Sequence, residues 1–498
     1  MSAGWPTTRG RVRCCHGNRR GRSAFVLVGV LVVVMLLSMV AASLMFSLKA
    51  ENTAALSSAG AEQAWAAAMS GIEEAMRVAR LPGSMEFDRA DAPGLFKDRL
   101  VADDGVNRWY FTVFSPGEPD GSGALRYGLT DEAGKLNLNN ASETNLLRLP
   151  RMTRSLAHAL LDFLDADDAP HPEGAEQEYY DALPRPYKIR NGPLRTLDEL
   201  LLVRGFTPAA VYGEDANTNF RLDPNENDSD ETAPPDDGDG KLDLGLRQYL
   251  TVSSYEYDHD AEGNPRVNLN EPSDPLPRAD LPEALTNCIL VLRSNNITLT
   301  HPAELLEARF KVKDAAGRDT EVPSGVGKEE LARVLDLFTT HNELTRAGLV
   351  NVNTASAEVL AALPGLDEGQ AEAIVSARRG LSADRKQTIA WLYTEDVLPA
   401  EAFKAVAPYL TARGRQYSFH VVGYGVPCGR FRVLDVVIDC APAEPVIAYV
   451  RDLTRLGMPF PVSAGEESEG LASSSLHPGA RMGWRGARGA GKTGGANG

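Results

Sequence analysis

At 498 residues and a formal net charge of −17, the chain has room for two or three domains and a sizeable core, so no disulfide framework is needed for stability. Acidity of that size disfavours phosphate backbones and suits cation binding. Eight scattered histidines and five cysteines without metal-ligand spacing leave no zinc cluster and no histidine-based catalytic constellation, so the chain is expected not to be an enzyme.

The first element is an uncharged apolar stretch, Ala24 to Leu48, preceded by Arg9, Arg11, Arg13, Arg19, Arg20 and Arg22 and followed by Lys49. Roughly 25 helical residues span about 37 Å, enough to cross a bilayer core of about 30 Å. Arginines before the span and a mostly acidic remainder after it predict a single pass with the N-terminus cytoplasmic and the bulk outside. Helical spacing continues through Trp65, Met69, Ile72, Met76 and Ala79 on one face, and Pro82 ends it. The membrane helix therefore extends into a stalk.

An ordinary signal anchor would satisfy this hydropathy. The residues at its start are more particular: Arg20-Gly21-Arg22-Ser23-Ala24 followed by Phe25-Val26-Leu27-Val28-Gly29 resembles a type IV prepilin leader. The resemblance implies processing by a prepilin peptidase between Ala24 and Phe25, with methylation of the new N-terminus. Ala24 stands where the family usually has Gly, and Gly29 stands where most pilins and pseudopilins carry Glu at mature position five. In the family that carboxylate is thought to meet the amine of the subunit above, since a lone charge in hydrocarbon is unfavourable. Its absence suits a filament tip and marks the K class of type II secretion pseudopilins.

After the stalk, Asn107 to Phe114 and Ala124 to Thr130 read as strands, rich in aromatic and β-branched residues. Their partners come only near the far end: Tyr417 to Tyr424, Arg430 to Ile438 and an edge at Val446 to Val450. Two strands alone make a marginal hairpin, so early and late strands are expected to share one sheet packed on the stalk. The fold class is then α+β: a pilin-like long helix on a small antiparallel sheet, interrupted by a large, mostly α-helical insertion. The expected boundaries are a leader over 1–24, the helix over 25–80, sheet over 81–138, insertion over 139–412, sheet over 413–455 and a disordered tail over 456–498.

The insertion repeats itself. Leu136-Asn137-Leu138-Asn139-Asn140-Ala141-Ser142 with Leu146, Leu149 and Pro150 recurs as Val350-Asn351-Val352-Asn353-Thr354-Ala355-Ser356 with Leu360, Leu363 and Pro364, and a weaker copy starts at Val267-Asn268-Leu269-Asn270. Ser142 and Ser356 are placed to cap helices. Residues 357–374 resemble a helix-hairpin-helix unit. Nucleic-acid versions need two hairpin glycines and basic neighbours; here Gly365 is followed by Asp367 and Glu368, and the first copy has Arg151 and Met152 at the turn. These hairpins are read as structural or protein-binding, against the alternative of a membrane-anchored DNA receptor of competence type.

Between the copies, Leu161 to Asp168, Gly174-Ala175-Glu176, Tyr179-Tyr180, Asn191-Gly192-Pro193-Leu194 and Leu197 to Gly205 resemble, in order, elements of the K-class minor pseudopilins. That resemblance implies a non-catalytic subunit at the tip of a secretion pseudopilus in the inner membrane. It would start assembly or contact secreted cargo beside minor pseudopilins of the I and J classes, with no nucleic-acid partner.

One candidate cofactor is calcium. Asp215, Asn217, Asn219, Arg221 (through its carbonyl), Asp223 and Glu226 fall at the ligand positions of an EF-hand loop, with Phe220 where a glycine usually makes the turn. A merely acidic, solvated loop is the alternative. Asp237, Asp239 and Asp243, beside Asp236, look like half of a second loop, and the Asp162 to Asp168 run is either a further ligand source or a solvated helix end. Gly486 to Thr493 matches the P-loop pattern, but it follows Arg-Met-Gly-Trp-Arg rather than a buried strand and lies in a Gly/Ser/Arg-rich stretch, so nucleotide binding is not expected. Cys288, Cys428 and Cys440 leave one disulfide or free thiols equally open.

Overall fold

The computed structural model describes residues 20–81, 89–117, 125–276, 281–313 and 318–461. Most of the expected leader, with Cys14 and Cys15, lies outside the described residues, as do Pro82 and the Gly486 to Thr493 match. Ala24 and Phe25 fall within a described helix backbone, but their side chains lie outside the description.

Helix α1 runs unbroken from Arg20 to Ala79, about 90 Å at 1.5 Å per residue. Its upper part is exposed and apolar from Val26 to Leu48, long enough to cross a membrane. Its lower part buries Ala64, Ala68, Ile72, Ala75 and Ala79, one helical face. The face is shifted from the expected one: Trp65 and Met69 sit at the rim, where the Arg432 guanidinium lies 5.1 Å from the Trp65 ring. Small residues win the centre because the helix approaches the sheet closely.

Strands β1 (Arg99–Asp103), β2 (Arg108–Phe114) and β3 (Thr130–Asp131) precede the insertion, and β4 (Gln416–Val426), β5 (Phe431–Asp439) and β6 (Val446–Asp452) follow it. They form one antiparallel sheet in the order β1-β2-β4-β5-β6, with β3 beside the start of β4. Alternation along β4 sends Phe419 and Val421 toward α1 and Val422 and Tyr424 to the other face. Gly423 lies so near Ala64 and Ala68 of α1 that a Cβ there would overlap their backbone.

Two strand assignments change. Ala124 to Thr130 was expected to be a strand, but among its described residues only an Arg126 to Ser115 bridge and Thr130 pair with strands. Its other backbone groups turn to the loop after α1, through Leu129 N–H to Arg89 O at 2.9 Å and Ala92 N–H to Tyr127 O at 2.7 Å. Strand β1 has no burial alternation, all five residues being exposed, so no periodicity announces it.

The insertion mixes helices with two-stranded ladders. Its helices include α2 (Glu143–Leu147), α3 (Arg154–Leu164), α4 (Gln177–Asp181), α5 (Glu283–Ser294), α6 (Ala357–Ala361) and α7 (Glu368–Arg378). Three consecutive copies of one unit organise it. Each opens on its Asn pair and closes on an apolar-Thr dipeptide that returns in parallel to the opening: Leu136-Asn137 on Leu250-Thr251, Val267-Asn268 on Phe338-Thr339, and Val350-Asn351 on Leu410-Thr411. The first Asn of each accepts the N–H of the second, at 3.0 Å for Asn137, 2.8 Å for Asn268 and 3.0 Å for Asn351. The second Asn then reaches across its unit, Asn139 to both backbone groups of Leu194, Asn270 to both of Leu299, and Asn353 to the carbonyls of Lys386 and Ala412. Buried and half-buried amides thus clamp each unit where a larger core would otherwise be needed.

The first copy's Leu136-Asn137 ladder belongs to the insertion, although residues through 138 were expected to be sheet. The expected tail boundary at 456 is also too early. Met458 and Phe460 pack on the sheet, Phe460 with its ring 5.5 Å from Phe114, because the face of β2 and β4 opposite α1 is apolar and needs a cover. Cys288 and Cys440 are buried and Cys428 exposed, all three free.

Candidate functional site

The EF-hand-like loop sits on that second face of the sheet. Phe220, at the position where glycine is usual, adopts φ 59° and inserts its ring between Phe114, 6.1 Å away, and His420, 4.5 Å away. The left-handed turn is thus made without glycine, because burial of the aromatic ring offsets the backbone strain.

The loop's polar groups fold inward. Asp215 is fully buried and accepts N–H groups from Asn219 at 2.9 Å and Phe220 at 3.2 Å. The Nδ2 groups of Asn217 and Asn219 donate to Asp223 Oδ2 at 2.7 and 2.8 Å. Arg221 N–H is held by Asn219 Oδ1 at 2.7 Å, and Glu226 Oε2 accepts Asp223 N–H at 3.0 Å. Glu226 Oε1 is buried and accepts no hydrogen bond from the described residues. Burial pushes the Glu226 carboxyl up to about 7 and raises Asp215 as well. Carboxyls this reluctant to ionise would gain from a cation, and the donor set is all oxygen, which fits calcium. Amide donors on Asp223 fill the space a cation would take, and the loop's three carboxylates are not among those that converge within 4.8 Å.

The second acidic stretch is not assembled in the same way. Asp243 is ion-paired with Arg151, while Asp237 and Asp239 are exposed and accept N–H groups from Asp239 and Lys241. The residue that sequence reasoning missed is Glu214, which holds Asp243 N–H at 3.0 Å. Burial first, and Asp237 next, push its carboxyl up to about 7. No loop spacing could have announced it, since it precedes the motif.

The Asp162 to Asp168 run is not simply a solvated helix end. Asp162 is fully buried and binds His171 through both the ring Nδ1 and, at 3.1 Å, the backbone N–H. The elements that carry the K-class resemblance gather here. Arg204 donates to Gly174 O at 2.8 Å and its N–H reaches the Tyr180 hydroxyl at 3.1 Å. Asn191 donates to Asp167 O at 3.3 Å. Glu176, just after Gly174, lies beneath them with its carboxyl raised to about 7, by burial first and then by Asp162 and Asp165.

The two hairpins contact one another. In the third copy Gly365 takes φ 89°, and at the matching turn of the first copy Arg151 takes φ 62°. Arg148 and Asn145 of the first copy donate to Leu363 O at 3.0 Å and Ala362 O at 2.9 Å. Asp367 turns its carboxylate onto the Gln370 N–H at 2.8 Å, capping α7. The first copy thus holds carbonyls ahead of the third copy's turn, while Gly365 and Asp367 at the turn stay exposed, and the Asp367 anion there opposes a phosphate ligand.

Two family models for type II secretion system protein K match the chain, one over residues 134–212 and one over 350–412. The first spans about the first two thirds of the first unit, the second the whole of the third. No curated protein sequence matches. A chain from the solved GspK-GspI-GspJ complex of the enterotoxigenic Escherichia coli type 2 secretion system is similar over 82% of this chain and 98% of that one, at 13% identity and a TM-score of 0.34. The two matched stretches lie in order within an insertion between strands of one sheet packed on a long N-terminal helix. Over residues 134–212 and 350–412 the chain is therefore similar to protein K of type II secretion systems.

Proposed function

We propose that this minor pseudopilin caps the tip of the secretion pseudopilus and starts its assembly with subunits of the I and J classes, without catalysis of its own. The observation that carries the reading is the combination of an unbroken α1 with an insertion over residues 132–415 hung between β3 and the start of the central strand β4. A helix of about 90 Å is an assembly element, yet a body of that bulk would clash in a filament whose subunits are surrounded on all sides. Gly29 supports the same place, since a subunit with nothing above it has no amine to meet. In this reading Arg20 and Arg22 stay on the cytoplasmic side of the inner membrane, the peptidase cuts between Ala24 and Phe25, and the bulk stands outside.

Calcium in the 215–226 loop would be held by Asp215, Asn217, Asn219, the Arg221 carbonyl, Asp223 and Glu226. It would neutralise the buried carboxylates and stiffen the joint that Phe220 makes between insertion and sheet. The decisive experiment is coexpression of the full chain with the I- and J-class subunits of its own system, followed by native mass spectrometry and gold labelling of the assembled pseudopilus. A one-to-one-to-one complex and label at filament ends are expected. Label along the filament shaft, or no ternary complex, would overturn the reading.

A further inference from the structure

Three arginines and three acids meet where the second unit joins the third. A cleft of about 470 Å³, counting its open mouth, is lined by Glu256, Arg266, His301, Arg346 and Arg413, with apolar side chains of both units between them. Arg266 lies 3.3 Å from Glu256 and 3.0 Å from Asp258, and Arg413 pairs with Asp336 and, at 4.0 Å, with Glu256. The Thr411 hydroxyl donates to the other Glu256 oxygen at 2.5 Å. Two arginines thus take all three carboxylates.

Arg346 is left over. It is half-buried and forms no ion pair among the described residues. Its one hydrogen bond among them runs from Nη2 to Pro408 O, at a long 3.4 Å. Burial lowers the pKa of this guanidinium, and Asp258 and Glu256 act the other way without restoring it. A charge drawn out of water without an anion is unfavourable, and the planar fork of five N–H donors fits a carboxylate. His301 adds a donor. Its Nδ1 accepts the Ala303 N–H at 3.1 Å, so the neutral ring carries its proton on Nε2 in the cleft wall.

The rim favours a polypeptide over a free ion. Leu344, two residues before Arg346 and so on the same side of the extended segment that leads into the short strand Thr345–Ala347, is 79% exposed. Tyr409 follows the carbonyl that Arg346 touches and is 41% exposed. Large apolar side chains left in water beside an unpaired cation make a surface of the composition that protein interfaces use.

We infer that Arg346 receives a carboxylate of a partner polypeptide, an Asp or Glu side chain flanked by apolar residues that cover Leu344 and Tyr409. The unpaired cation supplies charge complementarity in a chain whose net charge of −17 otherwise repels acidic partners.

The test is saturation-transfer NMR on the detergent-solubilised full chain with three probes: the tripeptide Leu-Glu-Leu capped at both ends, its Leu-Gln-Leu counterpart, and sodium acetate. The Glu peptide is expected to bind the natural chain about tenfold more tightly than the Gln peptide or acetate, as a charge-assisted hydrogen bond contributes. Arg346→Gln, which can still donate to Pro408 O, should lose that preference, and Leu344→Ser should weaken both peptides while preserving it. The comparison of the two peptides on the natural chain holds whether or not a variant folds. Equal binding of the two peptides, binding of neither, or acetate held as tightly as the Glu peptide would overturn the assignment. So would a preference that survives Arg346→Gln, or Leu344→Ser binding both peptides as the natural chain does.

Discussion

The helix-and-sheet body and the inserted units solve the same problem with different chemistry. In the body, α1 and the sheet are joined by apolar contact between small side chains and glycines. In the insertion, short ladders two residues long cannot hold themselves, and half-buried asparagines connect distant backbone groups instead. The first scheme depends on shape and tolerates little added volume. The second depends on satisfied donors and acceptors and tolerates little loss of polarity. A substitution's severity should therefore follow which scheme it strikes.

The sharpest separation comes from Gly423→Val in β4. A Cβ there meets the Ala64 carbonyl and the Ala68 amide of α1, which are backbone and cannot rotate away. The helix would have to lift from the sheet, uncovering Ile72, Phe111 and Val421, each contributing roughly 1.5–3 kcal/mol by its burial. A loss of more than about 4 kcal/mol, or failure to recover folded protein, is expected in urea unfolding. Near-normal stability would mean that helix and sheet are not closely packed.

Next in size are Asn137→Ala and Asn351→Ala. Asn137 donates to Ser254 O and Oγ, both at 3.1 Å, and holds the Asn139 N–H. Asn351 donates to Asp131 Oδ2 at 2.7 Å and holds the Asn353 N–H. Each truncation orphans buried or half-buried partners, so each should lower stability by about 2–3 kcal/mol. Asn351→Ala should be the worse of the two, since its partner Asp131 is a half-buried carboxylate left with the Thr354 hydroxyl and the Ala133 N–H. Equal, small losses would show that the amide clamps are ornamental and that the units are held by their apolar core alone.

The body and the insertion were also unequally legible. Period-two runs such as Tyr417 to Tyr424 and the helical spacing of Ile72, Met76 and Ala79 display their burial directly, so the sheet and stalk could be read from hydropathy. The Asn pairs revealed the openings of the inserted units because asparagine repeats are rare in cores. The closing dipeptides Leu250-Thr251, Phe338-Thr339 and Leu410-Thr411 passed unnoticed, since two residues have no period. At the acidic sites, spacing could find Asp215 and Glu226 along one loop. It could not find Glu214 or Glu176, whose importance lies in burial next to acids placed there by the fold.

The smallest expected effect concerns a single nitrogen in the second unit. His301 is buried, and its Nδ1 accepts the Ala303 N–H at 3.1 Å, capping the short helix that follows. The Asn clamps align His301 with Thr388 of the third unit, whose hydroxyl accepts the Ala390 N–H at 3.4 Å. Burial first, then Arg346, His341 and Arg266, push the imidazole down to about 3 from 6.5. The unfolded chain therefore takes up a proton below pH 6.5 that the folded chain refuses until about pH 3. Stability is lost as pH falls through that window, by at most about 1.4 kcal/mol per pH unit from this group. His301→Thr gives the second unit the cap chemistry of the third. It should melt slightly lower than the natural chain at pH 8, by about 1 kcal/mol for the lost volume. Its melting point should then fall less steeply between pH 6.5 and 5, so the two curves converge. Parallel curves would show that the nitrogen is protonated in the folded unit, and that its cap is made by something other than a neutral ring.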